Sequence, residues 1–157
     1  MWKLHKKANA RGVRSRPILN NIGYPTGQVS HFLHCQLIDA VYRHPHVLQD
    51  SLGLIRQLES MPISPEQELL LTSADVAALY PSIDIEDGMK ALQWFMEEHT
   101  SIAPVLQPEY LRLARFVLEN NYERFSRSAV TYATIFMIWL ETLIIYRFRE
   151  HIVLYKR

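Results

Sequence analysis

The apolar run of residues 69–76 constrains the fold of this chain more than any other stretch. Its length and its richness in leucine are typical of a strand that is buried on both faces. Asp75 lies near the end of the run, and Tyr80 follows it by five residues. A buried strand needs covering helices, and most of the remaining sequence has helical periodicity. We therefore predict an α+β fold that is mostly helical around a short, incomplete β-sheet.

Four further segments predict amphipathic helices, because apolar residues recur in them at spacings of three and four. Pro45 would stop the first helix, Asp84 can cap the third, and Pro108 introduces the fourth. The predicted apolar stripes run through residues 29–41, 48–58, 85–96 and 110–118. Residues 129–146 are almost wholly apolar, and we predict a buried helix there.

Composition indicates one intracellular domain. The chain has 157 residues, of which 48% are hydrophobic, so it can bury a single core. Its one cysteine excludes an internal disulfide, which favours a reducing compartment, and the basic amino terminus has no apolar segment after it. We therefore expect a location in the nucleus or cytoplasm and no secretion.

Charge is unevenly distributed although the net charge is only +1. Six lysines or arginines and no acid precede Asp39, whereas residues 39–98 contain eleven acids and three bases. A basic arm of this kind can displace counterions from a nucleic-acid backbone. A solvated tail is the other interpretation that the charge alone allows.

Several motifs together resemble one protein family. Residues 3–6 read Lys-Leu-His-Lys, residues 16–18 read Arg-Pro-Ile, and residues 75–83 have the pattern Asp-Val-x-x-Leu-Tyr-x-x-Ile. In this order they resemble the fingers and palm signatures of Penelope-like retroelement reverse transcriptases. Residues 132–141 resemble the helix after the family's Gly-rich substrate loop, and residues 152–157 resemble the approach to its second catalytic strand. The resemblance implies one partial reverse-transcriptase domain over residues 1–157, with a fingers-like basic segment at 1–27 and helical fingers and partial palm at 28–157.

The resemblance also implies the site. The activity class would be RNA-directed DNA polymerase, a nucleotidyltransferase that uses an RNA template, a DNA primer and deoxynucleoside triphosphates. Asp75 would be catalytic, and its carboxylate would hold Mg²⁺ together with the backbone carbonyl of Val76. Tyr80 would lie under the incoming sugar, where an aromatic ring can separate deoxyribose from ribose. Arg16, supported by Lys6, would contact the triphosphate, because guanidinium matches phosphate oxygens.

Two departures from the family pattern lead us to expect no polymerase activity from this chain alone. Between Asn121 and Tyr132 there is no glycine, where the family has a Gly-rich loop that approaches the base pair. The family's aromatic-Ile-Asp-Asp turn, which follows its Tyr-Lys-Arg stretch, is also missing. A lone Asp75 cannot build the two-metal site that aligns primer and phosphate. An incomplete sheet would expose an edge as well, so we expect a tendency to self-associate through it.

Other interpretations start from different residues. The set His31, His34, Cys35, His44 and His46 could suggest zinc, but structural zinc sites usually pair several cysteines at short spacing. The acidic residues after Ile83 suit a helix N-terminus better than a metal site. We predict no stable membrane span in residues 129–146, because Glu141 would be costly in lipid. The main alternative to the polymerase fragment is a non-enzymatic helical remnant that binds a partner or nucleic acid.

Overall fold

The computed structural model describes residues 25–64, 66, 68–76, 79–120 and 127–157. They form five helices of ten or more residues and one short helix of a single turn. The elements in chain order are α1 (Pro25–Arg43), α2 (Ser51–Ser60), α3 (Leu79–Ser82), α4 (Ile85–His99), α5 (Gln107–Asn120) and α6 (Arg127–Phe148).

Local sequence signals account for the ends of these helices. Helix α1 begins at Pro25, whose missing N–H costs nothing in the first turn, and it ends at Arg43, shortly before Pro45. The side chain of Asp84 accepts hydrogen bonds from the backbone N–H groups of Glu86 and Asp87, so it caps α4. The predicted helices around residues 29–41, 48–58, 85–96 and 110–118 are confirmed.

The core lies between four helices arranged in a ring. Helices α1 and α4 each pack against both α5 and α6. The most deeply buried large side chains are Val41 from α1, Phe95 and Met96 from α4, and Ile135 and Ile138 from α6. Burial of this apolar surface is the main stabilising contribution, at roughly 1.5–3 kcal/mol for each fully buried side chain.

Helix α6 packs against α1 and α4, so the predicted helix at residues 129–146 is present, although only part of it is buried. It buries Ala133, Ile135 and Ile138 against its neighbours, and Glu141 is 5% exposed. By length and composition, residues Val130–Phe148 could cross a membrane, yet they contact both α1 and α4 and 28% of them are buried. One face of the helix is therefore packed inside the bundle, and the helix is not a clear membrane span.

The predicted strand at residues 69–76 is wrong. Residues 68–76 have no regular secondary structure, and Leu70 and Leu71 are 88% and 94% exposed. A strand is stable only when its backbone groups pair with a neighbouring strand, and the described residues contain none. The leucines of this run consequently remain outside the core.

The predicted α+β fold is therefore also wrong, because the described part of the chain is entirely helical with connecting segments. The expected incomplete sheet is not found there, and so no exposed sheet edge exists in that part for self-association. The prediction relied on the apolar run of residues 69–76. A short apolar run forms a strand only when other strands in the fold pair with it.

Candidate functional site

The residues of the expected palm site lie at the entrance to α3. Asp75 and Val76 belong to the irregular segment before this helix, and both are exposed. Tyr80 is half-buried in α3, which packs against α6. The structure thus anchors Tyr80 on the bundle and leaves the Asp75 carboxylate in water.

The acidic side chains that follow α3 are already engaged. One carboxylate oxygen of Asp84 lies 2.9 Å from the Glu86 nitrogen and 3.4 Å from the Asp87 nitrogen. Both oxygens of Glu86 accept hydrogen bonds from the Arg115 guanidinium, at 2.5 and 2.9 Å, and Asp87 pairs with Lys90 at 2.8 Å. The prediction that this cluster serves the N-terminus of α4 is confirmed.

Mg²⁺ does not fit the described residues near Asp75. Magnesium needs an octahedral set of rigidly held oxygens. Asp75 offers one exposed carboxylate in an irregular segment, and the three acids that follow it, Asp84, Glu86 and Asp87, are used for capping and ion pairs. Within the described ranges, no group of three or more His, Cys, Asp or Glu side chains could hold a metal ion. Lys6 and Arg16, the expected phosphate contacts, lie outside the described residues.

The residues considered for zinc serve separate purposes. His34 on α1 lies 2.7 Å from the Thr131 hydroxyl on α6, so it joins two helices. The Cys35 thiol lies 3.6 Å from a ring nitrogen of His31, one turn earlier on the same exposed face. His44 and His46 lie beyond the end of α1, in a different environment.

Three histidines form a second, unexpected site at one end of the bundle. His44 and His46 follow α1, and His99 is the last residue of α4. The His44 ring centroid lies 5.0 Å from that of His46 and 5.1 Å from that of His99, and both contacts are edge-on. We call these three residues the histidine cluster. His99 also packs on Trp94 and Phe95, so the cluster extends the aromatic part of the core.

Residues 155–157 pack against the histidine cluster, and we call them the terminal segment. The Tyr155 ring lies edge-on to His46 at 5.4 Å between centroids. The Leu48 N–H donates to the Arg157 carbonyl at 2.7 Å, and the Arg157 N–H donates to the His46 carbonyl at 2.8 Å. These two backbone hydrogen bonds fix the terminal segment alongside residues 46–48.

Side-chain contacts hold the terminal segment as well. The Arg157 guanidinium donates to the Thr134 carbonyl at 2.8 Å, and its Nε lies 3.6 Å from the buried Glu141 carboxylate. The Lys156 ammonium donates to the Pro45 carbonyl. The terminal segment therefore connects the region after α1 with the middle of α6.

Burial sets the ionisation of this region. Burial, with smaller contributions from the neighbouring His46, His99 and Arg157, lowers the pKa of His44 from 6.5 to about 4. Burial also lowers the pKa of His46 and of His99. The three rings are accordingly neutral at neutral pH. Burial, assisted by Glu141, raises the pKa of Tyr155 to about 12.

Sequence reasoning noticed His44 and His46 but missed their association with His99. The first two form a His-Pro-His motif, and His99 lies more than fifty positions further along the chain. The single available signal was the position of each residue at the end of a predicted helix. Packing decides which helix ends meet, so this signal could not show that His99 lies beside His44 and His46.

Comparison with protein-family models, curated proteins and solved structures found no match for this chain.

Proposed function

We propose that this chain is a fragment of a Penelope-like retroelement reverse transcriptase, comprising fingers and the first part of a palm, that does not polymerise DNA by itself. Its remaining role in this proposal is contact with an RNA template and a DNA primer through the basic segment at residues 1–27. An intracellular location, in the nucleus or cytoplasm, is the matching prediction.

The observation that carries this proposal is the environment of Asp75. Its carboxylate is exposed, and the acids that follow it are held by α4 backbone N–H groups, by Lys90 or by Arg115. Two-metal chemistry needs several carboxylate oxygens around ions a few ångströms apart. Nowhere in the sequence do two aspartates stand side by side, and no glycine lies between Asn121 and Tyr132. Both features support an inactive member of the family.

The helical order supports the family assignment itself. A one-turn helix carries Tyr80, α4 and α5 follow it, and α6 contains residues 132–141, which resemble the helix after the substrate loop. The resemblance implies palm helices after Tyr80 and a helix for residues 132–141, whereas it implies a strand and a tight turn for the block that carries Tyr80. The expected strand is missing, so this support rests on the helices and motifs alone.

Primer extension tests the loss of catalysis. The purified chain is incubated with an RNA template, an annealed DNA primer, the four deoxynucleoside triphosphates and Mg²⁺. We expect no extension, and we expect the Asp75→Asn variant to behave identically because the carboxylate has no catalytic role here. Template-dependent extension that Asp75→Asn abolishes would refute the proposal.

Binding of a labelled RNA–DNA hybrid tests the remaining role. Binding should weaken as salt rises from about 50 to about 300 mM, and a Lys6→Gln, Arg16→Gln variant should lower the salt slope by about one for each lost phosphate contact. Arg112→Gln is the matched control, since Arg112 is exposed on α5 and pairs with Glu109. Absent or salt-insensitive binding would contradict a nucleic-acid role.

A second candidate function is non-enzymatic self-association through α2. This helix buries none of its residues, and its apolar stripe of Leu52, Ile55 and Leu58 is exposed to solvent. Arg56 and Glu59 are exposed on the same helix, so the face beside the stripe carries both signs of charge. A single-molecule role would not need an apolar helix face of this kind.

Sedimentation of the full chain over a range of concentrations tests this second candidate. We expect dimers that Ile55→Gln weakens, because the substitution places an amide in the centre of the stripe. Gln57→Glu is the control, since it changes charge on the same exposed helix and leaves the apolar stripe unchanged. A monomer at all concentrations would exclude self-association through α2.

A further inference from the structure

The histidine cluster connects three parts of the chain that are distant in sequence. His44 and His46 come from the segment after α1, His99 from the end of α4, and Tyr155 from the terminal segment. Each ring contacts at least one other aromatic ring edge-on. Neutral rings can pack in this way. If the histidine rings were protonated, positive charges would lie side by side and repel each other.

We propose that the histidine cluster is an acid-sensitive latch, which holds the terminal segment against residues 46–48 while its rings are neutral and releases that segment when they are protonated.

The charged groups around the histidine cluster explain why protonation would open it. Lys156 and Arg157 face it from the terminal segment, and both disfavour a positive charge at His46. Arg157 acts in the same way on His44. An added charge on either ring therefore repels the basic side chains of the terminal segment.

Two acidic groups near the histidine cluster also influence the release of the terminal segment. Glu141 of α6 faces His46 and attracts its charged form, but the same carboxylate is the ionic partner of Arg157. An imidazolium at His46 would therefore compete with Arg157 for Glu141 and loosen that side-chain attachment. Glu98 is the acid facing His99, and it lies on α4, so it cannot retain the terminal segment.

Unsatisfied polar atoms indicate that the closed state is poorly suited to charge. His46 Nδ1 and His99 Nε2 are buried with no hydrogen-bond partner, and the buried Glu141 carboxylate already interacts with Tyr155 and Arg157. The His44 Nδ1 accepts a hydrogen bond from the His46 backbone N–H at 3.3 Å, and protonation of that nitrogen would remove the acceptor. Opening would give these atoms access to water, so proton uptake and release of the segment are coupled.

Amide hydrogen exchange of the full chain tests the latch. The Leu48 and Arg157 N–H groups report it directly, because they form the two backbone hydrogen bonds between the terminal segment and residues 46–48. After correction for the intrinsic exchange rate, their protection should fall at least about tenfold between about pH 7 and pH 4.5. Amides of Phe95 and Met96 in the core should lose clearly less protection than these two over the same pH range. Equal loss at all four amides would mean global unfolding and would overturn the proposal.

Two variants separate the latch from a general effect of acid. His44→Gln combined with His46→Gln should remove most of the pH dependence, whereas the control His151→Gln, at an exposed histidine outside the histidine cluster, should retain it. Loss of protection that is identical in both variants would refute the proposal. A direct titration of the ring protons in the unmodified chain gives a test that needs no variant. Its midpoint must coincide with the loss of Leu48 and Arg157 protection, and separate midpoints would overturn the latch.

Discussion

Gly88, in the first turn of α4, is packed so closely that a single added methyl group should destabilise the fold. A Cβ atom at this position would overlap the hydroxyl and the adjacent ring carbon of Tyr132, and it would lie 3.1 Å from the Cγ2 of Ile83. Tyr132 lies on α6, which packs along α4, so its ring cannot move away without disturbing the interface. Gly88→Ala therefore tests whether α4 and α6 approach each other as closely as the structure indicates.

The expected magnitude is a balance of two effects. In a helix, alanine is favoured over glycine by about 1 kcal/mol, because glycine loses more backbone freedom on folding. Forcing an extra carbon into a packed interface costs about 1–3 kcal/mol, and the overlap with the Tyr132 ring favours the upper part of that range. We expect Gly88→Ala to lower the free energy of unfolding by about 1–2 kcal/mol after both effects are combined.

Urea denaturation followed by far-ultraviolet circular dichroism measures this change. Gly53→Ala is the matched control, because a Cβ there would meet the exposed Asp50 side chain at 3.3 Å and no helix interface. Its effect should stay within about 1 kcal/mol. In a Tyr132→Val background the overlap disappears, and Gly88→Ala should become neutral or stabilising. An increase in stability from Gly88→Ala alone, or an equal cost in both backgrounds, would refute the packing argument.

Three other predictions follow from single contacts. Tyr132→Phe should preserve stability or raise it by up to about 1 kcal/mol in the same urea assay, since the buried hydroxyl has no hydrogen-bond partner. Asp84→Ala should lower the free energy of unfolding by about 1 kcal/mol through loss of the α4 cap, and Asp84→Asn, which can still cap, should lower it less. Because the pKa of His44 is lowered to about 4 in the folded chain, the unfolded chain binds its proton first as pH falls below 6.5. The stability from His44 should be complete above pH 6.5 and decline by about 1–2 kcal/mol as pH falls towards 4, after allowance for solvent screening, and an equal decline in a His44→Gln variant would contradict this origin.

Most of the helical content could be predicted because its signals are local. Pro25 and Pro45 lie at the two ends of α1, and Asp84 caps α4 with its own side chain. The apolar stripe of α4 also lies on the side that packs inward, where it buries Leu92 and Met96. Such features involve residues a few positions apart, so the sequence alone contains them.

The fate of residues 69–76 could not be predicted in the same way. An apolar run with a strand-like length folds as a strand only if another strand is available, and the described residues supply none. Similarly, α2 was correctly predicted as a helix, but its stripe of Leu52, Ile55 and Leu58 remains exposed. Amphipathic periodicity indicates which face is apolar, and it does not indicate whether another element covers that face.

Some features of the candidate sites are likewise visible in the sequence, and others depend on tertiary packing. From the sequence came the separation of Asp75 and Tyr80 and the basic segment at residues 1–27, because spacing and charge are properties of the chain itself. Only the tertiary structure decided that Asp75 is exposed in an irregular segment, and that His44 and His99 meet beside the terminal segment. The physical reason is that burial, contact and pKa shifts depend on which distant elements pack together. That choice is made by the whole core and not by any local motif.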